Sequence, residues 1–539
     1  MQLTIRLDPR RLRQWHLRLA ERSARRPDTR VTVEWRAAGD AGPAGLTLVC
    51  AMERLVNRIP AGGLAEARRP NDFAPFLGPR RGQPDLVLDL STGPPRAGEP
   101  TWHLTFDGLR GEAAAIGALT RGRTPVVAVI DAWSGTEIAG GHPGTEDGRV
   151  LVRAYADVAA RTITIVASAL GRTGSPPVTG QEAACVARTR DVVRFAGRSL
   201  AIAGIGRIYR LLYRTPHWRT GWRLVEPDRS DFGANPSAGW RDSDDWRDSD
   251  DWRDSNNWRD LADDGLHFFA DPFPVVKDGR TYLFVEDFEH ALGRGVISAV
   301  EFDDSGPLGT PRPVLDTGFH LSYPFVFAHA GEMWMVPESC ADASVSLYRA
   351  TRFPGGWVKH STLLSGLVAS DATLIEHGGR WWMFATVQDD SGSFSDALHV
   401  WSAGDLLGPW RPHRHNPVLV DVAQARPAGR VVQRDGKLVR PVQDCRGGYG
   451  AALGLAEIVR LDDDAFEQRI VSVMRPGAAW PGYKLHTLNR AGRLECIDGS
   501  ARAPRWRWLP SGGRVTTRMA PSTRTRHPGA SAPIASNQP

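Results

Sequence analysis

"FADPFPVVKDGRTYLFVEDFE", residues 269–289, reads as a β-hairpin of two apolar strands around an Asp-Gly turn, with Asp271 opening one strand and Glu286 and Asp287 closing the other. Asp-Gly supplies the positive φ that a two-residue hairpin turn requires. In an antiparallel pair, the start of the first strand lies beside the end of the second. The three carboxyl groups therefore share one end of the hairpin, and charge there at the edge of an apolar sheet needs an explanation.

The pattern recurs at roughly fifty-residue spacing, a period typical of propeller blades. The inner strands are "ADPFPVV", "SYPFVFA", "SDATLIE", "AGRVVQR" and "YKLHTLN". The first four lead through tight turns into "KDGRTYLFVED", "HAGEMWMVPES", "HGGRWWMFATVQDD" and "RDGKLVRPVQD"; a fifth copy is "NRAGRLECIDG". The upstream segment "WRTGWRLVEP" (218–227) is free to complete the last blade and close the ring. Closure removes the unpaired edges that make open sheets a liability. The predicted architecture is a five-bladed all-β propeller over 218–500.

Radial packing gathers the equivalent hairpin ends around one axis. The spacing places Asp271 beside Glu286 and Asp287, Tyr323 beside Glu338, Asp371 beside Asp389, and Arg426 beside Asp444, with His486 near the same rim. Any one of these acids has an ordinary alternative role, capping a turn or meeting a neighbouring Arg. The recurrence of the offset in consecutive blades favours a shared funnel. Trp334, Trp381 and Trp382 fall within second strands and read as packing residues.

The rest of the chain divides around this half. At 539 residues it exceeds the size of a single core. Residues 1–190 alternate strand-like and helix-like segments, giving an α/β domain whose "PDLVLDLS" and "TPVVAVID" suit a sheet covered on both faces. An amphipathic basic linker helix at 191–217 follows; its stretch 195–214 either packs one face on its own domain or lies on an anionic membrane surface. "WRDSDDWRDSDDWRDSNNWRD" (240–260) repeats a six-residue unit that matches neither strand nor helix period, so 236–262 is expected to be a disordered loop. Residues 501–539 form a basic tail expected to be disordered. The net charge of +6 is concentrated in that tail, which argues against a nucleic-acid partner. Five scattered cysteines with no CxxC pair suit a reducing cytoplasm, and no zinc knuckle or cofactor motif is evident; no metal ligand is assigned, although several carboxyl groups at one mouth could hold Ca²⁺ without an EF-hand-like loop.

The motifs "FFADPF", "SYPFVF", "MVPES", "LYRATRFPGGW", "GRWWMF" and "RPVQDC" resemble the N-terminal domain of the glucosamine inositolphosphorylceramide transferase family. More distantly, the half resembles glycoside hydrolase family 43. The plant members of the transferase family add a glycosyltransferase domain for which no segment here offers a counterpart. The hydrolase resemblance implies an Asp base, a second Asp that tunes pKa and a Glu acid. Asp271 matches the first; blade two opens with Tyr323 where the second aspartate is expected, and Glu338 and Asp371 are the substitutes by position. Separately, "GLRGEAAAIGALTRGRTPVVAVIDAWSGTEIAGG" is similar in layout to formyltransferase-like folds, whose Asn-His-Asp set would map onto His103 and Asp131 with no asparagine, implying a degenerate domain.

Three functions remain open on this reading. In the first, the funnel binds a sugar or glycoconjugate, with Asp271 as base, Glu338 as acid, Asp371 holding substrate, and Glu286, Asp287, Tyr323, Asp389, Arg426, Asp444 and His486 around it; Arg426 and His486 would suit an anionic substituent. In the second, the propeller is a non-catalytic scaffold. In the third, the first domain transfers a formyl or acyl group to an amino sugar.

Overall fold

The alternation of apolar and polar residues along "QLTIRL" and "VTVEW" produces two parallel strands, Gln2–Leu7 and Arg30–Trp35, joined by the helix Gln14–Ala24. The computed structural model describes residues 1–37, 45–78, 82–171, 184–225, 258–389, 392–434, 436–477, 480 and 482–506. In the first domain the sheet order is Arg30–Trp35, Gln2–Leu7, Leu86–Asp89, Thr101–Phe106, Val127–Asp131, Glu137–Gly141. The first four strands are parallel and the last two antiparallel. The helix Leu151–Leu170 is apolar almost all round and is buried accordingly, in one core with Ile5, Leu88 and Val129.

Among the described residues, the second half forms five radially arranged sheets. Blade one runs from its inner strand His267–Lys277 through Arg280–Glu289 to Arg294–Asp303. Blade two is Ser322–His329, Glu332–Glu338, Ser344–Arg352 and Gly355–Ser365, and blade three begins Ala369–His377, Arg380–Val387, Ala397–Ala403. Blade four is Val432–Arg434, Lys437–Asp444, Ala452–Leu461 and Phe466–Met474. Blade five takes Leu485–Ala491 and Leu494–Ser500 from the end of the propeller and Trp218–Leu224 from its beginning. The ring is thus closed by the upstream strand, as the free "WRTGWRLVEP" segment requires.

Three boundaries differ from the sequence expectation. Residues 258–262, assigned to the disordered loop, are ordered: Arg259–Asp260 pairs with Trp222 and Gly221, and Leu261 is buried beside Phe269 and Leu283. Trp258 packs on Trp480 and under the Arg223 guanidinium, so one tryptophan of the repeat has become a wedge of blade five. The remainder of that loop, 236–257, lies outside the described residues. The start of the tail is also ordered, Ala503–Pro504 pairing with Tyr213–Arg214, while 507–539 lie outside the described residues. The linker helix runs Thr189–Leu212, ending where Tyr213 turns extended.

The two halves share a buried seam. Arg161, from the long helix of the first domain, is fully buried and donates Nε to Asp396 at 2.6 Å. It also donates to the carbonyls of Val387, at the end of the second strand of blade three, and of Ser393, in the loop to the third. Gly144 N–H binds the other Asp396 oxygen at 2.7 Å, and Ser393 donates to Glu146.

Candidate functional site

Four of the five inner strands, all but that of blade four, reach the axis through a bulge. Register shifts fall between Ala270 and Phe273, Ser322 and Phe325, Ser370 and Thr373, and Leu485 and Leu488. A bulge inserts one extra residue and re-aims its side chain. In blades one to three that residue is Asp271 (φ 48°), Tyr323 (φ 43°) and Asp371 (φ 58°), all left-handed and none of them glycine. Such conformations cost on the order of 1–3 kcal/mol and persist when the surroundings over-determine them.

The over-determining contacts run around the ring. Asp271 N–H donates to Asp498 Oδ2 at 2.9 Å, Tyr323 N–H to Asp271 Oδ2 at 3.2 Å, and Asp371 N–H to Glu338 Oε2 at 3.1 Å. A carboxylate of one blade therefore clasps the bulged backbone of the next. The Tyr323 hydroxyl crosses the axis to Thr373 Oγ1 at 2.8 Å and accepts Gly429 N–H at 2.8 Å, tying blade two to blades three and four.

Two cations thread the acids. Arg426 Nε donates to Asp371 Oδ2 at 2.6 Å, with Glu338 3.8 Å from its NH2, and its guanidinium lies over the Tyr449 ring. Gln443 Nε2 adds a bond to Asp371 at 3.1 Å. His486 Nδ1 meets Asp498 Oδ1 at 2.6 Å, its Nε2 lies 3.7 Å from Asp271, and its ring stacks on Trp218 at 4.1 Å. Thr487 Oγ1 donates to Asp271 Oδ1 at 2.8 Å.

This setting separates the acids electrostatically. Burial, with Asp498 and Asp371 nearby, pushes Asp271 up to about 6 against the opposing pull of His486. Burial and Asp371 push Glu338 up to about 8, against Arg426. Glu286, buried among Asp271, Glu338 and Asp498, is held well above the usual carboxylate range. For His486, burial lowers the pKa, but Asp498 and Asp271 outweigh it and the net direction is up. Glu338 accordingly holds a proton at neutral pH, while Asp271 is ionised.

The structure brings together Asp271, Glu286, Tyr323, Glu338, Asp371, Arg426 and His486. It removes Asp287, Asp389 and Asp444 from the axis. Asp287 follows Glu286 and points to the opposite face, bonding His267 and Ser298. Asp389 is past the end of its strand: Ser370 pairs with Thr386, and Asp389 lies 3.8 Å from Arg22 of the first domain. Asp444 binds Arg446, two residues on, while its neighbour Gln443 takes the axial position. Arg426, expected to meet an anionic substituent, is bound by Asp371, and His486 by Asp498.

Asp498, Thr487, Gln443, Tyr449 and Trp218 belong to the site and were not anticipated. Asp498 lies one residue before the register position of Glu286 and Glu338, which Gly499 occupies in this blade, so the repeat pattern did not single it out. Asp271, His486 and Asp498 also offer ligand atoms within 4.8 Å of one another, a spacing that suits a cation. In the first domain, His103 pairs with Ile130 and Asp131 with Trp102. Asp131 accepts from Trp133 N–H, Ser134 N–H and the Ser134 hydroxyl, committing it to its own turn.

Fold and site together define a five-bladed β-propeller with a buried, proton-sharing carboxyl cluster on its axis. Residues 260–495 match the family model described as glucosamine inositolphosphorylceramide transferase 1, N-terminal. The rice (Oryza sativa subsp. japonica) protein named glucosamine inositolphosphorylceramide transferase 1 is 34% identical over 247 residues, 43% of this chain and 33% of that protein. The Arabidopsis thaliana protein of the same name is 33% identical over 229 residues, 41% of this chain and 30% of its own. This chain therefore spans about a third of those relatives. Among solved structures, a thermostable family-43 glycoside hydrolase aligns at 15% identity and TM-score 0.30, over 40% of this chain and 78% of its own. A family 117 glycoside hydrolase from Zobellia galactanivorans aligns at 13% and 0.32, over 44% and 85%.

Proposed function

We propose that the axial funnel binds the sugar of a glycoconjugate and cleaves or transfers its glycosidic bond, with Asp271 as base and Glu338 as acid. The observation that carries this reading is the split between the two acids, about 6 and about 8, within one cluster. Glycosidic chemistry needs one carboxyl group to protonate the leaving oxygen and another to activate the incoming nucleophile. Glu338 holds the proton to be given, and Asp271 is free to accept one. Asp371, tied to Arg426, acts as a positioning residue, keeping Glu338 protonated by its negative charge. The surplus of carboxyl groups favours a neutral or amino sugar over a phosphorylated one. The names of the plant relatives, which include glucosamine, support the same substrate class.

The clasps favour a second reading, a non-catalytic propeller in which Asp271, Glu338 and Asp498 serve the ring alone. A screen of neutral and amino-sugar glycosides with the wild type, Asp271→Asn and Glu338→Gln separates the two. Turnover abolished in both folded variants supports the catalytic reading; sugar binding and turnover unchanged in both exclude it.

A further inference from the structure

The helix Thr189–Leu212 is twenty-four residues long and buries only Val192 and Phe195. Several of its large apolar side chains stand in solvent: Val193 is 61% exposed, Ile205 66%, Ile208 61% and Leu211 71%, while Ile202, Tyr209 and Leu212 are half-buried. Beside it, the helix Leu46–Val56 exposes Leu48, Met52, Leu55 and Val56, whose spacing of four, three and one puts them on one face. The groove between the two helices is mixed, lined by Met52, Val56, Leu200 and Ile202 together with Glu53, Asn57, Asp147 and Arg149, so the most exposed apolar side chains lie beyond it on each helix. Exposed large apolar side chains gathered on neighbouring helices mark an interaction surface.

The charge around this surface has one sign. The longer helix carries Arg190, Arg194, Arg198, Arg207 and Arg210, and its single acid, Asp191, is engaged by Arg188 N–H and Arg121. The shorter helix carries Arg54, with Arg58 just beyond it. Its one acid, Glu53, turns inward, each oxygen accepting a backbone N–H of Leu151 or Val152 at the start of the long buried helix. The bordering acids Glu66 and Asp147 are already paired, with Arg54 and with Arg149 and Arg153. No helix among the described residues is long and apolar enough to cross a membrane.

We propose that the paired helices Leu46–Val56 and Thr189–Leu212 dock the protein on an anionic lipid bilayer, the exposed Leu and Ile entering the acyl boundary and the arginines meeting the headgroups. Interfacial helices use this combination of a moderate apolar face and a basic border, and basic residues near an anionic surface add attraction that salt screens. The inference rests on these helices alone and is independent of what the funnel binds.

The test is co-sedimentation of the full chain with vesicles of phosphatidylcholine, with or without about one-third phosphatidylserine. The wild type is expected to bind the anionic vesicles at low salt, to weaken as salt rises, and to leave neutral vesicles unbound. Leu55→Ser with Ile208→Ser, and Arg194→Glu with Arg207→Glu, are each expected to lower binding at least about tenfold. All four positions are exposed, so thermal midpoints should stay unchanged, which separates lost docking from lost folding. Failure to bind anionic vesicles overturns the proposal. So does binding that persists in both variants and vanishes on removal of residues 507–539, or a dimer in light scattering that the Leu55→Ser, Ile208→Ser variant abolishes.

Discussion

At Asp271 a single residue does two jobs that pull on its pKa in the same place. It must receive Tyr323 N–H on one oxygen and Thr487 on the other, and it must titrate near neutrality beside His486. If Asp271 is the base and Glu338 the acid, kcat/KM should describe a bell with limbs near the about 6 and about 8 of the two groups. The acidic limb records loss of the Asp271 anion, the basic limb loss of the Glu338 proton. In Glu338→Gln the basic limb should disappear along with most of the rate, and a pH profile on a substrate with a good leaving group would show it. Tyr323 makes a second prediction at this scale. Tyr323→Phe deletes the hydroxyl that satisfies Gly429 N–H and Thr373, leaving a buried amide unpaired, at a cost of about 1–3 kcal/mol. Urea denaturation should report that loss with an unchanged m-value.

The blades themselves were legible because hairpin chemistry is local. Asp278-Gly279, Gly378-Gly379 and the apolar strands beside them are read from a few neighbouring residues. The axial positions were legible only to within a residue, because bulges break the alternation that a register argument counts on. Asp444 was chosen where Gln443 reaches the axis, and Asp389 where the strand had already ended at Val387. Trp218 and Tyr449 were out of reach for another reason: their place against His486 depends on ring closure and on the loop between the second and third strands of blade four, both non-local. Closure gives the prediction at this scale. Gly221, on the closing strand, has the Trp480 ring where a Cβ would stand, 2.4 Å away. Gly221→Val must displace Trp480 from between Arg219 and Trp258, and overpacking of this kind costs about 1–3 kcal/mol. Tryptophan fluorescence should shift toward red and the thermal midpoint fall.

Across the whole molecule, buried ionisable groups decide how the two halves hold together and how stability responds to pH. The Arg161–Asp396 pair is removed from solvent on both sides, so Asp396→Ala should leave an uncompensated guanidinium in the seam, costing about 3–5 kcal/mol. Calorimetry should then resolve two transitions where the wild type gives one. The pH response follows from the raised carboxyl groups. Glu338 and Asp157 are each pushed up to about 8, chiefly by burial, whereas an unfolded carboxyl group titrates near ~4. From ~4 upward the native state therefore holds protons that the unfolded state has released, and each such group lowers stability by about 1.4 kcal/mol per pH unit until its folded pKa is passed. Buried histidines oppose this at lower pH. His16, His290 and His399, each pushed down to about 4 by burial, add stability as pH rises toward their unfolded value of about 6.5, and nothing further above it. The window above pH ~6.5 and up to ~8 is thus governed by the carboxyl groups, with His486, whose pKa Asp498 and Asp271 raise against burial, acting in the same direction. Stability should decline across it and level off above, and the decline should flatten in Asp157→Asn with Glu338→Gln. Chemical denaturation at pH steps through that window measures the slope, and a flat wild-type profile would contradict the buried protons on which the proposed acid depends.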